Sequence, residues 1–410
     1  MIRAPPTSQE EPVVTLEIVS DRILTPDGHL RAGRVLVEDG WIAAVDVDGP
    51  AKAPGGRMLL PGIIDLHGDA FEHQLMPRPG VGIPVEIALA DTDRQIAANG
   101  ITTPFLSLTC SWESGLRSAD TVNRMLDALE RMRGRLAVDH RIHLRFEAMA
   151  LDTVATAVGW IESGRIDLVS INDHFPGLNA NRSAGAIEPL AKRSGIDPDS
   201  YDALLDSLAA RRDEMHDALA AIIAAAERAG IPVASHDDRT AEERRANRAL
   251  GCTLADFPIT EAAIREAHAT GDTVILGAPN VVRGGSHMAR KGAIGAAAMV
   301  EAGLCTVLAS DYFYPALAPA AMRLWRDHGV ADAWALVSSS PAAAVGLSDR
   351  GVIVPGARAD MVLIDAGEAG FAVHTLATVA GGHAIVHHRD GGEAFSERPS
   401  PVRRVVAGAA

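Results

Sequence analysis

Both ends of the chain alternate apolar and polar residues in short runs, whereas the middle alternates apolar runs with stretches of helical spacing. Near the start, Thr15–Val19, Arg34–Val37 and Trp41–Val45 read as short strands, separated by Asp27-Gly28 and Asp39-Gly40. Such Asp-Gly pairs favour tight hairpin turns. Near the end, Gly351–Val354, Met361–Ile364, Thr378–Val379 and His383–Val386 repeat that style. The economical arrangement is one small β-sandwich built from both termini, at 13–59 and 347–390, around an inserted unit at 60–346, with a frayed tail over 391–410.

Eight apolar runs in the middle each predict a strand: Met58–Leu66, Thr102–Leu108, Ile142–Ala148, Ile166–Ile171, Pro232–Ser235, Cys252–Phe257, Thr273–Leu276 and Cys305–Ala309. Amphipathic stretches separate them. The clearest runs from Ser200 to Ala229, where Leu204, Leu205, Leu208, Met215, Leu219, Ile222 and Ile223 keep helical spacing until Gly230 and Pro232 stop it. Eight strand–helix units predict an α/β chain with a (β/α)8 TIM-like barrel. A doubly wound sheet is the competing architecture, but no Gly-x-Gly-x-x-Gly follows a strand-like run. Residues Asn179 to Ser200 interrupt the alternation with a polar insertion containing Gly and Pro. It is either a lid or a surface loop.

Composition narrows the function classes. The chain has 410 residues, 38 basic and 53 acidic, for a formal charge of −15. Tracking a nucleic-acid backbone needs a basic surface, so nucleic acid is not an expected partner. A small anionic substrate is compatible, since a metal or a few Arg can meet its charge locally. Cys110, Cys252 and Cys305 form no Cys-x-x-Cys pair and no disulfide framework, which fits a reducing compartment. Met1 to Pro12 lacks the apolar core of a secretory signal, and Ala218–Ala226 is too short to span a bilayer. A soluble cytoplasmic protein without a membrane partner is expected, and a homo-oligomer is compatible with these features.

Candidate chemistry collects at the strand ends, where barrel enzymes carry their catalytic groups. The first run ends in Asp65-Leu66-His67-Gly68-Asp69, the third in Arg145-Phe146-Glu147 and the fourth in Ile171-Asn172-Asp173-His174. The fifth ends in Ser235-His236-Asp237-Asp238, the seventh opens into Pro279 through His287, and the eighth ends in Ser310-Asp311-Tyr312. Apolar runs otherwise avoid such residues, because an unpaired buried charge is costly. Imidazole and carboxylate together suit zinc or manganese, and carboxylates can bridge two ions. Each residue alone has a plainer reading: His67 and Asp69 could bond each other in a turn, Glu147 could pair with Arg145, and His174 and His236 could be packed histidines. Recurrence at one end of one barrel favours a metal site. The other histidines, including His29, His140, His216, His268, His328, His387 and His388, read as solvated or structural.

Leu60-Pro61-Gly62-Ile63-Ile64-Asp65-Leu66-His67 resembles the first metal-binding strand of the amidohydrolase superfamily. Gly356-Ala357-Arg358-Ala359-Asp360-Met361-Val362-Leu363 resembles that superfamily's C-terminal β-sandwich signature. Pro77-Arg78-Pro79-Gly80, Asn172-Asp173-His174, Ala234 through Asp238, Gly277 through His287 and Ser310-Asp311-Tyr312 together resemble its phosphonate-metabolism branch. That branch is the α-D-ribose 1-methylphosphonate 5-triphosphate diphosphatases of the carbon–phosphorus lyase pathway. The likeness runs from about Leu16 to Val386. It implies a binuclear centre of divalent ions, zinc foremost and manganese second. His67 and Asp69 would hold one ion, Glu147 would bridge, His174 and His236 would complete the second, and Asp311 would be ligand and general base. Many superfamily members carry His-x-His where this chain has His67-Gly68-Asp69, and a carboxylated Lys where it has Glu147. After His287, Met288-Ala289-Arg290 replaces a familiar Ser/Thr-Gly.

The reaction implied is hydrolysis of a small anionic sugar triphosphate to the 5-phosphate and diphosphate by metal-activated water. Arg78, Arg283, His287 and the N–H groups of Gly284 and Gly285 are the candidate substrate contacts, since guanidinium and open backbone suit phosphate oxygens. Their plainer reading is a pair of turns with a surface Arg. An amidohydrolase acting on a C–N bond, as a cyclic amide hydrolase or deaminase, would use the same architecture and metals. A non-catalytic barrel scaffold would require missing ligands, and every expected strand end is occupied.

Overall fold

The computed structural model describes residues 10–50, 57–285, 295–366, 373–388, 392 and 394–405. Its first strands are β1 (Glu10–Leu24), β2 (Leu30–Glu38), β3 (Trp41–Pro50) and β4 (Arg57–Pro61). Then come β5 (Ile63–Gly68), β6 (Ile101–Cys110), β7 (Arg141–Glu147), β8 (Leu168–Asn172), β9 (Val233–His236), β10 (Leu254–Asp256), β11 (Thr273–Gly277) and β12 (Val307–Ala309). The last four are β13 (Met361–Ala366), β14 (Val373–Ala380), β15 (His383–Val386) and β16 (Phe395–Val405). Strands from both termini make one sheet in the order β15-β14-β13-β4-β1-β2-β3, with β16 on β1. Alternate residues such as Leu16, Ile18, Val35, Val37, Met361 and Leu363 fill its core. The segment expected to be a frayed tail is therefore partly a strand: Phe395 through Val405 pairs antiparallel with Glu10 through Ile18. The long β1 offers an edge that β4 meets only at Ile23.

β5 through β12 form the second sheet, parallel throughout and in sequence order. A bridge between Gly68 and Asp311 joins its two edges. Inward residues such as Ile64, Leu66, Phe105, Leu168, Leu254 and Ile275 fill the barrel, and outward ones pack against the helices. The apolar run Met58–Leu66 is two strands, not one. β4 belongs to the terminal sheet and β5 to the barrel, and Gly62 between them donates its N–H to Asp360 O at 2.9 Å. Both strands are buried, so hydropathy runs through the break.

The insertion after β8 is helical. Phe175–Ala180, Ala184–Ser194 and Pro198–Ala209 enclose a separate apolar cluster of Phe175, Ile187, Ala191, Tyr201, Leu205 and Leu208 with Met149. The helix expected from Ser200 to Ala229 breaks before Met215. There Arg211 turns to Asp152 and Glu214, and Arg212 to Asp173. Among the described residues, no helix is long and apolar enough to cross a membrane.

Candidate active site

The C-terminal ends of β5, β9 and β10 place His67, His236 and Asp256 together. Asp256 is fully buried, and its Oδ2 lies 2.8 Å from Nδ1 of both His67 and His236. Burial alone would raise the carboxyl's pKa, but the two imidazoles outweigh it and hold it well below the usual range. A carboxylate only accepts, so each Nδ1 carries its proton, and in the neutral ring Nε2 keeps the lone pair. The surroundings of His236 agree: Arg145 Nη2 donates to its Nε2 at 3.2 Å.

His174, just beyond β8, repeats this arrangement. Its Nδ1 lies 2.5 Å from Oε1 of Glu147 at the end of β7. Its Nε2 faces Asp237 Oδ2 at 3.8 Å. Burial would raise the Glu147 pKa, but His174 and Arg145 bring it below the ordinary value. Arg145 stands in the middle, with Nη1 on Asp69 Oδ2 at 3.1 Å.

The third group is built into the barrel's seam. Asp311 donates its N–H to His67 O at 2.8 Å, and its own carbonyl accepts from Asp69 N–H at 2.9 Å. Gly68 is required between them, because a Cβ there would lie 2.7 Å from Asp65 Oδ2 and 2.8 Å from Tyr314 Cε1. Asp237, Phe257 and Asp311 all have left-handed backbone, with φ of 62°, 53° and 57°, a conformation costly for residues other than Gly. Burial, with help from Asp69, pushes the Asp311 carboxyl up to about 6.

Among the described residues, three sets of side chains bring ligand atoms within 4.8 Å of one another: His67 with His236 and Asp256, His174 with His236 and Asp237, and His67 with Asp69 and Asp311. Nitrogen and carboxylate oxygen donors, with histidines oriented by carboxylates, fit a divalent ion. The cationic Arg145 already shares Asp69 and His236 with that position, so the acceptors facing it are suited to positive charge.

No family model matches the chain. A curated relative, the alpha-D-ribose 1-methylphosphonate 5-triphosphate diphosphatase of Escherichia coli, is 33% identical over 84% of this chain and 94% of its own length. This chain belongs to the amidohydrolase superfamily, in the branch that contains that diphosphatase. The fold agrees. A 5-methylcytosine deaminase from Klebsiella pneumoniae superposes with a TM-score of 0.57 at 16% identity, covering 90% of this chain and 98% of that one. A dihydropyrimidinase from Brevibacillus agri superposes with 0.51 at 15% identity, covering 92% and 95%.

In this amidohydrolase the expected ligands His67, Asp69, Glu147, His174, His236 and Asp311 all lie around one barrel mouth. Glu147 is the exception in detail, since its described contacts are with His174 and not within the three sets. Asp256 and Asp237 join the site instead. Asp256 sits inside the apolar run Cys252–Phe257, and a carboxylate in such a run was the available signal. The glycine pair is corrected. Gly284 N–H bonds Val281 O and Gly285 N–H bonds Asn280 O, the closing pattern of a helix that ends on a left-handed Gly, here with φ 77°. Those N–H groups end the Ala278–Arg283 helix and are not free for phosphate. Arg283 is exposed and donates to Tyr312 OH at 3.3 Å, beside Asp311. Arg78 is exposed in a turn bridged to Val81. His287 lies outside the described residues.

Proposed function

We propose that this hydrolase cleaves α-D-ribose 1-methylphosphonate 5-triphosphate to the 5-phosphate and diphosphate, in the cytoplasm, with two divalent ions, zinc foremost. The observation that carries this reading is the 33% identity across 94% of a diphosphatase of that name. Bound ions would supply Lewis acidity and lower the pKa of water near neutrality. His67 and Asp69 would hold one ion, and His174 and His236 the other. Glu147 would join them, because a carboxylate that holds the His174 ring through Oε1 and accepts its backbone N–H through Oε2 still has a lone pair to offer. Asp311, the carboxylate at the last strand end, would accept the proton of the attacking water. Asp256 keeps His67 and His236 in the binding tautomer.

Arg283 would meet phosphoryl oxygens at the rim, and Arg78 and His287 would add further phosphate contacts. Arg283→Ala is expected to lower kcat/KM on the triphosphate about ten- to a hundredfold, and to leave a neutral cyclic amide unaffected. An equal fall on both would make Arg283 structural. The overall reading is tested by phosphorus NMR of the metal-containing protein with the ribose triphosphate. Appearance of diphosphate with the 5-phosphate supports it, and an unchanged spectrum rejects it. Hydrolysis of a C–N bond is the second reading, favoured by the deaminase and dihydropyrimidinase folds alone. The same preparation with a cyclic amide and with cytosine tests it.

A further inference from the structure

A cavity of about 250 Å³ opens onto the candidate centre, with Asp69, Glu147 and His174 on its wall and Thr109, Arg117, Arg145 and Arg193 among the other residues that line it; Asp69 is engaged by Arg145 and Glu147 by His174. It lies between the end of β6, the turn at Gly115–Arg117, β7 and the Ala184–Ser194 helix of the insertion. Arg117 is held side-on by Glu72, with Nε and Nη2 each 2.9 Å from a carboxylate oxygen. Arg193 is held likewise by Glu113, with Nε at 3.0 Å and Nη2 at 2.5 Å. Tyr201 OH donates to the same Glu113 at 2.7 Å. Such pairing fixes each guanidinium plane and leaves Nη1 without a hydrogen bond among the described residues. Those carboxylates are already engaged, so they orient the cations.

Buried donors are left over as well, Trp112 Nε1 among them. Arg145 Nε and the Thr109 hydroxyl are buried without hydrogen-bond partners among the described residues, and Arg145 and Thr109 are 6% and 5% exposed. Guanidinium can only donate, and buried donors are normally paired. A ligand that brings only acceptor oxygens answers all of them at once. We propose that this cavity is a subsite for a tetrahedral phosphorus oxyanion, held by Arg117, Arg193, Arg145 Nε and Thr109. Its volume is below the roughly 300–1,000 Å³ of pockets that enclose whole small molecules, so it takes one charged end of a substrate. Arg283 follows β11, far from β6 and β7 in the strand order. A molecule carrying phosphorus oxyanions at both ends has oxygens for each. The identity of that molecule rests on the diphosphatase reading; the anion subsite does not.

Calorimetric titration of the metal-containing protein with inorganic diphosphate, and separately with methylphosphonate, tests the subsite and tells which end it takes. At least one probe is expected to bind, with its Kd raised about ten- to a hundredfold by Arg193→Met. Thr109→Val is expected to raise the same Kd about three- to tenfold. It breaks no described hydrogen bond, so its Tm should match the wild type. That control matters because Arg193→Met also unseats Glu113. The subsite is overturned if neither probe binds the wild type, or if either substitution leaves both affinities unchanged. Failure of the reaction reads differently. Anion binding that depends on Arg193 and Thr109, with the sugar triphosphate left intact, keeps the subsite and sinks the diphosphatase. Turnover untouched by both substitutions does the reverse.

Discussion

Two buried clusters of Arg, Asp and their partners sit at opposite ends of the barrel strands, and they are finished differently. At the N-terminal end, Arg350 donates to Thr103 Oγ1 at 2.9 Å, to Asp139 at 2.8 Å and to Asp349 at 2.9 and 3.1 Å. Asp360 beside it accepts from Arg358 Nε and from Gly381 N–H. That cluster satisfies itself and ties β6 to the residues entering β13. At the C-terminal end, His143 Nε2, Arg145 Nε, Asn172 Nδ2 and Thr109 Oγ1 have no partner among the described residues. Three of its residues hold left-handed backbone. Two of its carboxyls, Asp256 and Asp311, are pushed in opposite directions. The same residue types serve holding where every atom is paired, and binding or reaction where strain and open atoms are retained.

The largest expected effect is at the open end. Asp311→Asn should lower kcat by about 10²- to 10⁴-fold, since an amide cannot accept the proton. Far-UV circular dichroism should be unchanged, because the amide keeps the volume and the seam is made by backbone groups. A variant that retains most of its turnover would move the base to another carboxylate at the mouth, such as Asp237.

At the closed end the effect is on folding. Arg350→Met should cost roughly 1–3 kcal/mol, because it removes the buried hydrogen bonds to Asp139 and Thr103 while Arg141 still pairs Asp139 and Arg358 still pairs Asp360. Urea unfolding would read the loss, and metal content per folded chain should stay at the wild-type level. A fall in metal content with little loss of stability would erase the distinction between the two clusters.

The open end of this contrast was largely legible in the sequence, for a physical reason, and the closed end was not. Strand ends such as Ile64-Asp65-Leu66-His67 place chemistry directly after an apolar run, where polar residues stand out. Asp256 did not stand out in the same way, because Phe257 follows it and the run continues. Its role depends on two histidines from β5 and β9, a contact between strands that hydropathy along the chain does not carry. Gly284 and Gly285 misled for a related reason. A Gly pair after Arg283 suits a phosphate loop and a helix end equally, and only the hydrogen bonds to Asn280 and Val281 decide. The break at Gly62 was hidden because both flanking strands are buried, in different sheets. Of the insertion's helices, Pro198–Ala209 was legible in the spacing of Leu204, Leu205 and Leu208, while Phe175–Ala180 and Ala184–Ser194 were hidden by their largely polar surfaces.

The opposed carboxyls give the comparison a pH axis in metal-free protein. Asp311 titrates near 6 when folded, above its unfolded value. Its contribution is therefore fully present below the unfolded pKa and lost as pH rises through about 6, by roughly 3 kcal/mol in all. Asp256, with a lowered pKa, contributes in the opposite sense, and loses its stabilisation only at pH well below the ordinary carboxyl range. Urea unfolding of wild type and Asp311→Asn between pH 4 and 8 isolates the first effect, because groups common to both cancel. The wild type should lose stability relative to the variant across that window. A flat difference would mean that burial does not raise the Asp311 pKa.

The smallest effect separates holding from orienting within a single residue type. Asp256→Asn keeps the size of the side chain but replaces one oxygen with an NH2 donor, and with the remaining oxygen at the shared Oδ2 position that donor stands 3.0 Å from His67 Nδ1. Two donors then face each other, the tautomer of His67 is no longer fixed, and its Nε2 no longer reliably offers a lone pair. Metal affinity should fall about ten- to a hundredfold, the range for losing a carboxylate behind a metal-binding histidine. Competition with a chelator of known affinity would measure it. Asp139→Asn makes the same chemical change in the cluster around Arg350, which holds no candidate ligand. It should cost stability and leave metal affinity at the wild-type value. If both substitutions weaken metal binding alike, the loss comes from general loosening of the barrel, and Asp256 has no special hold on His67 and His236. If only Asp256→Asn does, the carboxylate hidden in β10 is what prepares both rings for an ion.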